Sequence, residues 1–249
     1  MRIAVAGGTG RIGRLVVALV AQSGHEAISL SRGEGVDLVS GAGLEGLLTG
    51  VDVVIDVSNP PSADAAEAER VYTVVSENLL AAEIAAGIGH HVALSIAAID
   101  AVQGGPHYFG KRAQERAIRA GAVPHTIVRA TQFHDFPAMI AERAVSGGEA
   151  VVPPLLLQPI APADVASVLV ETALGAPRPE GLVIAGPRTE DAVDMARRTF
   201  AARGADHAIR ASWAGAALGL DFAGEVLLPP ADARIARTSF DAWLAAGAR

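Results

Sequence analysis

The segment GGPHYFGKRAQERA, residues 104–117, gathers side chains that can move protons: His107, Tyr108 and Lys111. Lys111 is the only lysine; Lys and Arg together number 20, so the other 19 basic residues are arginine. A composition that uses arginine wherever a generic positive charge will serve has kept one compact ammonium here. An ammonium hydrogen-bonds sugar hydroxyls and depresses the pKa of a neighbouring phenol better than a guanidinium does. On a helix, the positions four and three before Lys111 lie about 40° and 60° from it on opposite sides. His107 and Tyr108 can therefore both share its face. Gly110 is about 1 kcal/mol worse than alanine in a helix interior; its expected use is to leave room for a close ligand.

A second constellation is VAGGTGRIGRLVV, with Gly7, Gly10 and Gly13 at G-x-x-G-x-x-G spacing between a strand signal and a helix signal. The glycines let the backbone turn tightly, approach a pyrophosphate and seat the helix, whose N-terminal N–H groups face the anion. Thr9, Arg11 and Ile12 belong to the same loop and are expected among the cofactor contacts. An NAD site needs an acidic side chain after the second strand to hold the ribose 2′-hydroxyl. Here that strand ends in Ser31–Arg32 with no carboxylate. Arg32, with Arg11 approaching from the loop, can pair with a 2′-phosphate, so the expected cofactor is NADP(H). Asp37–Leu38, following an expected third strand, can accept from the adenine amino group and cover the ring, or form a plain turn. Ser58–Asn59 ends the next strand, where ligands bind in such sheets. Pro60–Pro61 fixes that loop, and a ribose contact is expected.

The elements that must hold these residues are short runs rich in Val, Ile and Ala: RIAVAG (2–7), EAISLS (26–31), VDVVIDV (51–57), HVALSI (91–96) and PHTIVRA (124–130). Runs apolar on both faces suit a parallel sheet covered by helices. Between them, Ile12, Leu15, Val16, Leu19 and Val20 recur at three and four. A longer helix over 64–87 carries Val71, Val74, Val75, Leu79 and Ala82. Alternating strands and helices predict an α/β fold, a doubly wound parallel sheet of Rossmann type. The expected organisation is a nucleotide-binding core over 1–130 and a small, discontinuous C-terminal region over 131–249 that covers a substrate cleft, with parts completing the sheet. Helices are expected near 163–175, 189–203 and 239–246, between proline clusters.

Composition narrows the class. At 249 residues and 51% hydrophobic content the chain can bury a substantial core. The absence of cysteine excludes disulfides, thiolate metal sites and cysteine nucleophiles. Among seven histidines, His90–His91 are strand neighbours pointing to opposite faces and no His-x-x-x-His pair occurs, so no metal site is expected. A net charge of −7 without a basic block argues against a nucleic-acid surface. No apolar run approaches the roughly 18 residues of a membrane span. The opening MRIAVAGGTG reads as a strand entering a glycine loop rather than a signal peptide, which gives the expectation of a cytoplasmic protein.

Taken together, GGTGRIG, the arginine after strand two, SIAAID, YFGKRAQERAIRAGAVPHTIVRATQFHDF and PIAPADVA resemble the atypical short-chain dehydrogenase/reductases. Within these the chain is most similar to the NmrA-like and NAD(P)H-binding reductase group, over nearly its whole length and with the segments in order. The resemblance implies a Rossmann core, NADP(H) binding and a substrate cleft under the C-terminal region. Members include quinone and aromatic-compound reductases as well as catalytically silent NADP(H)-sensing regulators. The broader superfamily uses Tyr-x-x-x-Lys, the tyrosine giving a proton to the carbonyl oxygen as hydride arrives. Here the position four before Lys111 is His107, and Tyr108 falls one residue late. Three readings follow: Tyr108 reaches the substrate from its shifted position; His107 acts as the acid; or no protein acid is used, because a quinone accepting hydride forms a stabilised anion that solvent can protonate. The third is favoured, with Lys111 holding the nicotinamide ribose.

The resemblance also directs Thr131 and Gln132, in ATQFHDF, toward the nicotinamide, with Phe133 beside them. Phe133 and Phe136, with Met139 on the next turn, can wall an apolar cleft or pack in the core. His134–Asp135 is expected as a surface pair, since adjacent side chains diverge too far to act as a base and its orienter. The leading expectation is an NADPH-dependent reductase of a small apolar acceptor such as a quinone, aldehyde or enone, as a monomer or small homo-oligomer. A cofactor-sensing protein without chemistry is the alternative.

Overall fold

The computed structural model describes residues 1–205, 207–215 and 218–247. Two compact units divide the chain, each discontinuous in sequence: Met1–Ile96, Gly105–Arg129 and Val165–Leu182 form the first, and Ala97–Gly104, Ala130–Asp164 and Val183–Arg249 the second. In chain order the elements are β1 (Arg2–Ala6), α1 (Arg11–Gln22), β2 (Glu26–Leu30), α2 (Leu44–Leu48), β3 (Val53–Asp56), α3 (Ala65–Ala86), β4 (His90–Ile96), α4 (Pro106–Ala120) and β5 (His125–Ala130). They continue with α5 (Phe136–Arg143), β6 (Val145–Ser146), β7 (Glu149–Val152), β8 (Leu156–Leu157), α6 (Pro162–Ala173) and β9 (Leu182–Ala185). Last come β10 (Glu190–Asp191), α7 (Ala192–Ala202), β11 (Ala208–Ala211), β12 (Arg234–Ile235) and α8 (Phe240–Ala245).

In the first unit the strands run in the order β5-β4-β3-β1-β2. β1 pairs in parallel with both β2 and β3, and β3 with β4. Every residue of β3 is buried, as a strand covered on both faces must be. Ala4, Ala6 and Val54 join Leu44 and Leu48 of α2 and Leu79 of α3 in one cluster. Their strand neighbours Ile3 and Val5 are equally buried and point to the opposite face; α1, which packs on β1 and β2, buries Ile12, Val16 and Val20. Helices on both faces of a parallel sheet make this the doubly wound, Rossmann-type arrangement that the alternating pattern predicts. The order reverses at β1, whose neighbours lead outward in opposite directions. The carboxyl ends of β1 and β3 therefore flank the crevice where such sheets take ligands.

One expected element is absent. No strand precedes Asp37–Leu38: residues Arg32–Glu34 form a short 3-10 turn, and Asp37 makes an isolated antiparallel bridge with Ala42. The reason lies in the glycines of GEGVDLVSGAG. Gly35, Gly41 and Gly43 all take positive φ, which folds the segment into turns before an extended run can build. The strands expected near 2–7, 26–31, 51–57, 91–96 and 124–130 are β1 to β5.

In the second unit β9 pairs in parallel with β12, β8 with β10 antiparallel, and β7 lies between β6 and β11. The helices predicted near 163–175, 189–203 and 239–246 appear as α6, α7 and α8, while α2 and α5 have no counterpart in the expectation. Among the described residues no helix is long and apolar enough to cross a membrane.

Candidate functional site

The loop between β1 and α1 is built for close backbone approach. Gly7 sits at φ +78° and turns the chain; a Cβ there would lie 3.1 Å from Ser58 Cα at the end of β3. At Gly13 a Cβ would come within 2.1 Å of Gly7 O and 2.7 Å of Gly8 Cα, so only glycine lets α1 seat on its own loop. Gly8 lies against the Ser29 side chain on β2. Gly10 is the N-cap of α1, with no side-chain cap and no acidic residue in the first turn. The leading N–H groups of α1 are thus left to an anion. Arg14 Nε donates to Thr9 O at 2.7 Å, bracing the loop from outside.

Beyond β2, Arg32 is exposed and forms no ion pair among the described residues. Glu34, two residues on, lines the cleft formed by Gly8, Thr9, Arg14, Val17, Ala18 and Ser29. This carboxylate lies beyond the Ser31–Arg32 end of β2 from which the cofactor expectation is drawn, and the 3-10 turn carries it back toward the glycine loop. Asp37 spends Oδ1 on its own turn, accepting from Val39 N–H at 2.9 Å, and Leu38 packs against the α2–α3 core. Both positions follow from the missing strand.

Lys111 lies at the centre of a buried polar cage. It is 4% exposed, and its ammonium donates to Leu94 O at 2.8 Å, Gln114 Oε1 at 2.7 Å and Ser58 O at 3.4 Å. Gln114 Nε2 in turn donates to Asp56 Oδ2 at 2.7 Å, and Asp56 Oδ1 accepts from Ser58 N–H at 2.8 Å. Asp56 is fully buried. Burial pushes the Lys111 ammonium down to about 8, against the pull of Asp56 and Glu115. Burial would raise the Glu115 carboxyl, but hydrogen bonds from Arg129 and Ser95 outweigh it and hold the group below its ordinary value. Among the described residues Ser58 Oγ, which is buried, has no hydrogen-bond partner.

His107 and Lys111 converge, as the helical spacing predicts, but on a residue that spacing alone did not disclose. Tyr72 of α3 is 1% exposed. Its hydroxyl donates to Asn59 Oδ1 and lies 3.2 Å from His107 Nδ1. Lys111 Nζ stands 5.4 Å from the Tyr72 ring centroid. The space at Gly110 expected for a ligand is filled by this ring, since a Cβ there would meet Tyr72 Cδ2 at 2.5 Å. Burial, then the Asp56 charge, raises the Tyr72 phenol well above its usual pKa. Although His107 as a residue is exposed, the desolvation of its ring and the Lys111 charge lower it to about 4, so it is neutral at pH 7. Tyr108, by contrast, is buried in α4.

In the second unit Thr131 is buried and its Oγ1 donates to Gln158 O at 2.7 Å. Phe133 bridges to Ile160, and Phe133, Gln132, Phe136 and Met139 are half-buried. His134 is not the surface residue expected: it is 1% exposed. The rings of Phe240 and Trp243 pack on it at centroid distances of 5.8 and 5.6 Å, and its Nε2 meets Thr238 O at 3.1 Å. Of the strand pair, His90 Nε2 meets Thr126 Oγ1 and His91 Nδ1 meets Glu83, consistent with opposite faces. Among the described residues no group of three or more His, Asp or Glu is placed to hold a metal ion.

Asp56, Tyr72, Gln114 and Glu34 are the residues that sequence reasoning missed. A lone carboxylate inside the apolar run VDVVIDV was a signal for Asp56. Gln114, three after Lys111, shared its helix face. The glycine cradle, the uncapped α1 N-terminus, the free Arg32 guanidinium and the orphaned Ser58 hydroxyl together fit a dinucleotide phosphate and ribose.

That fit agrees with the family. The chain matches the NAD(P)H-binding family model over residues 7–175, a span holding the glycine loop, Ser58 and Lys111, and it belongs to that family. Its fold is similar to that of a short-chain dehydrogenase/reductase superfamily protein from Agrobacterium tumefaciens with bound NAD, at 18% identity and a TM-score of 0.67 over 100% of this chain and 96% of that one. It is also similar to Citrobacter sp. triphenylmethane reductase complexed with NADP(H), at 18% identity and a TM-score of 0.62 over 85% and 79%. A dTDP-4-dehydrorhamnose reductase from Clostridium acetobutylicum follows at 17% identity and a TM-score of 0.65 over 85% and 84%. At such identities the likeness is one of fold. No curated protein matches the chain. The expectation of an NAD(P)H-binding chain, carried by the motifs, is borne out by the family match.

Proposed function

We propose that this chain is an NADPH-dependent oxidoreductase that reduces a small apolar acceptor such as a quinone, aldehyde or enone. The observation that carries the reading is the cage around the sole lysine, which fixes an ammonium beside the carboxyl end of β3. When bound, the dihydronicotinamide supplies a hydride. The residues divide the binding work. Gly7, Gly10 and Gly13, with the N-terminus of α1, take the pyrophosphate; Thr9, Arg11 and Ile12 border it. Arg32 takes the 2′-phosphate, and Ser58 Oγ and Asn59 take ribose hydroxyls. Lys111 takes the nicotinamide ribose by exchanging its longest bond, the 3.4 Å contact to Ser58 O. Tyr108 is buried in its helix, and the reading gives it no catalytic step.

The test is to follow NADPH absorbance with a panel of quinones, aldehydes and enones, running Lys111→Met in parallel. Oxidation that falls at least tenfold in the variant supports the reading. Turnover that survives the substitution, with cofactor affinity unchanged, overturns the role given to Lys111. A second reading, an NADP(H) sensor without turnover, is favoured by one observation: all three donors of the ammonium already have protein acceptors. NADPH binding without oxidation of any acceptor supports it.

A further inference from the structure

We infer that Tyr72 is a positioning residue that fixes the tautomer of His107, placing the proton on Nδ1 and leaving Nε2 as a hydrogen-bond acceptor. The inference deepens the proposed function, because it decides what His107 can do for a bound substrate. It follows from counting protons along one chain of atoms. A tyrosine hydroxyl has one proton to give. Tyr72 gives it to Asn59 Oδ1, an amide oxygen that can only accept. Toward His107 Nδ1, at 3.2 Å, the same hydroxyl oxygen can then only accept. The proton between them is therefore the Nδ1–H of the imidazole. A neutral imidazole carries one N–H, so Nε2 bears a lone pair. Among the described residues Nε2 has no hydrogen-bond partner.

The surroundings hold this arrangement in place. The Tyr72 ring is wedged over Gly110, where even a Cβ would not fit. The two rings meet edge-on, with centroids 6.3 Å apart and planes at 64°. The Lys111 ammonium over the Tyr72 ring disfavours a second positive charge on the imidazole. His107 thus occupies the position of the superfamily's tyrosine with the opposite polarity: its Nε2 accepts a hydrogen bond where that tyrosine donates one. It cannot hand a proton to a carbonyl oxygen at neutral pH. Any group that hydrogen-bonds to its Nε2 must itself be a donor, an O–H or N–H.

The experiment reads the tautomer directly and needs neither cofactor nor turnover, so it can fail while the reductase reading stands. Nitrogen-15 NMR of the imidazoles, assigned with His107→Gln, is recorded on the whole protein at neutral pH and on Tyr72→Phe. The expected result is a protonated Nδ1 and a bare Nε2 in the native protein, shifting toward the Nε2–H form usual for a free imidazole when the hydroxyl is removed. A native His107 carrying its proton on Nε2 overturns the inference, since Tyr72 would then be donating to the ring. An Nδ1–H form that persists unchanged in Tyr72→Phe also overturns it. The native spectrum decides the first point even if the variant does not fold.

Discussion

At the residue scale, the site turns on an ammonium kept where ammonium groups are costly. The sign of its linkage to stability can be worked out. Below pH 8 Lys111 is charged in folded and unfolded chains alike; between 8 and its ordinary 10.5 the folded chain has released a proton that the unfolded chain still holds. Stability from this group therefore rises with pH across that window. Urea unfolding of the native protein and Lys111→Met should show the native chain gaining on the variant from pH 8 to about 10, by on the order of 2 kcal/mol. A difference that stays flat would mean that Lys111 is not desolvated as the cage implies. A second residue-scale prediction concerns Arg32 and Glu34, of opposite charge on one turn. Arg32→Ala should weaken NADPH about tenfold or more and leave NADH nearly unchanged, the loss expected of a charge-assisted contact; Glu34→Gln should act in the opposite sense by weakening NADH. Fluorescence titration of both cofactors measures it. The motifs made the cradle and Lys111 legible in the sequence, because both rest on short fixed spacings. Asp56 and Tyr72 were less so, because each reaches its partner only through a contact that the fold creates, and Glu34 reaches the cleft only through the 3-10 turn.

At the element scale, the pattern of α3 shows why the sequence yielded the sheet more readily than the site. Reading only apolar residues puts its buried face on Val71, Val74, Val75, Leu79 and Ala82. The face actually buried runs through Ala68, Tyr72, Val75, Ser76, Leu79, Leu80 and Glu83. It is rotated by about one residue, because three of its members are polar or amphipathic and are satisfied inside: Ser76 by its own helix, Glu83 by His91 and Tyr72 by Asn59. Strands apolar on both faces carry no such ambiguity, and all five of the first unit were found. The close seating of α3 on α4 gives a prediction. Gly110→Ala drives a Cβ to 2.5 Å from the Tyr72 ring, and any gain in helix propensity is outweighed by overpacking of about 1–3 kcal/mol. Chemical denaturation should show a net loss of stability, and the displaced ring should change the His107 resonances. At Gly13 the obstacle is backbone, which cannot rotate away. Gly13→Ala should therefore abolish NADPH binding at concentrations that saturate the native protein.

At the scale of the whole molecule, a net charge of −7 must receive a cofactor that is itself an anion. The long-range field repels either dinucleotide, so attraction has to come from fixed local donors: on the proposed reading, the N–H groups of α1, whose backbone is held by glycine contacts, and the exposed Arg32. These two respond differently to salt. Donors pointing at a partly enclosed pyrophosphate are screened little, whereas an exposed guanidinium facing a 2′-phosphate is screened within a Debye length of about 10 Å at 0.1 M. Raising sodium chloride from about 0.05 to 0.5 M at constant pH should therefore weaken NADPH binding several-fold more than NADH binding, and Arg32→Ala should erase the difference. The same comparison is available from thermal unfolding. A ligand at a hundred times its Kd adds about 2.7 kcal/mol to the folded state, which for a chain of this size raises Tm by roughly 5–10 °C. At low salt NADPH should give the larger shift at equal concentration, and at high salt the two cofactors should converge. Equal shifts at every salt concentration would place the 2′-phosphate away from Arg32 and return cofactor choice to Glu34 and the ribose.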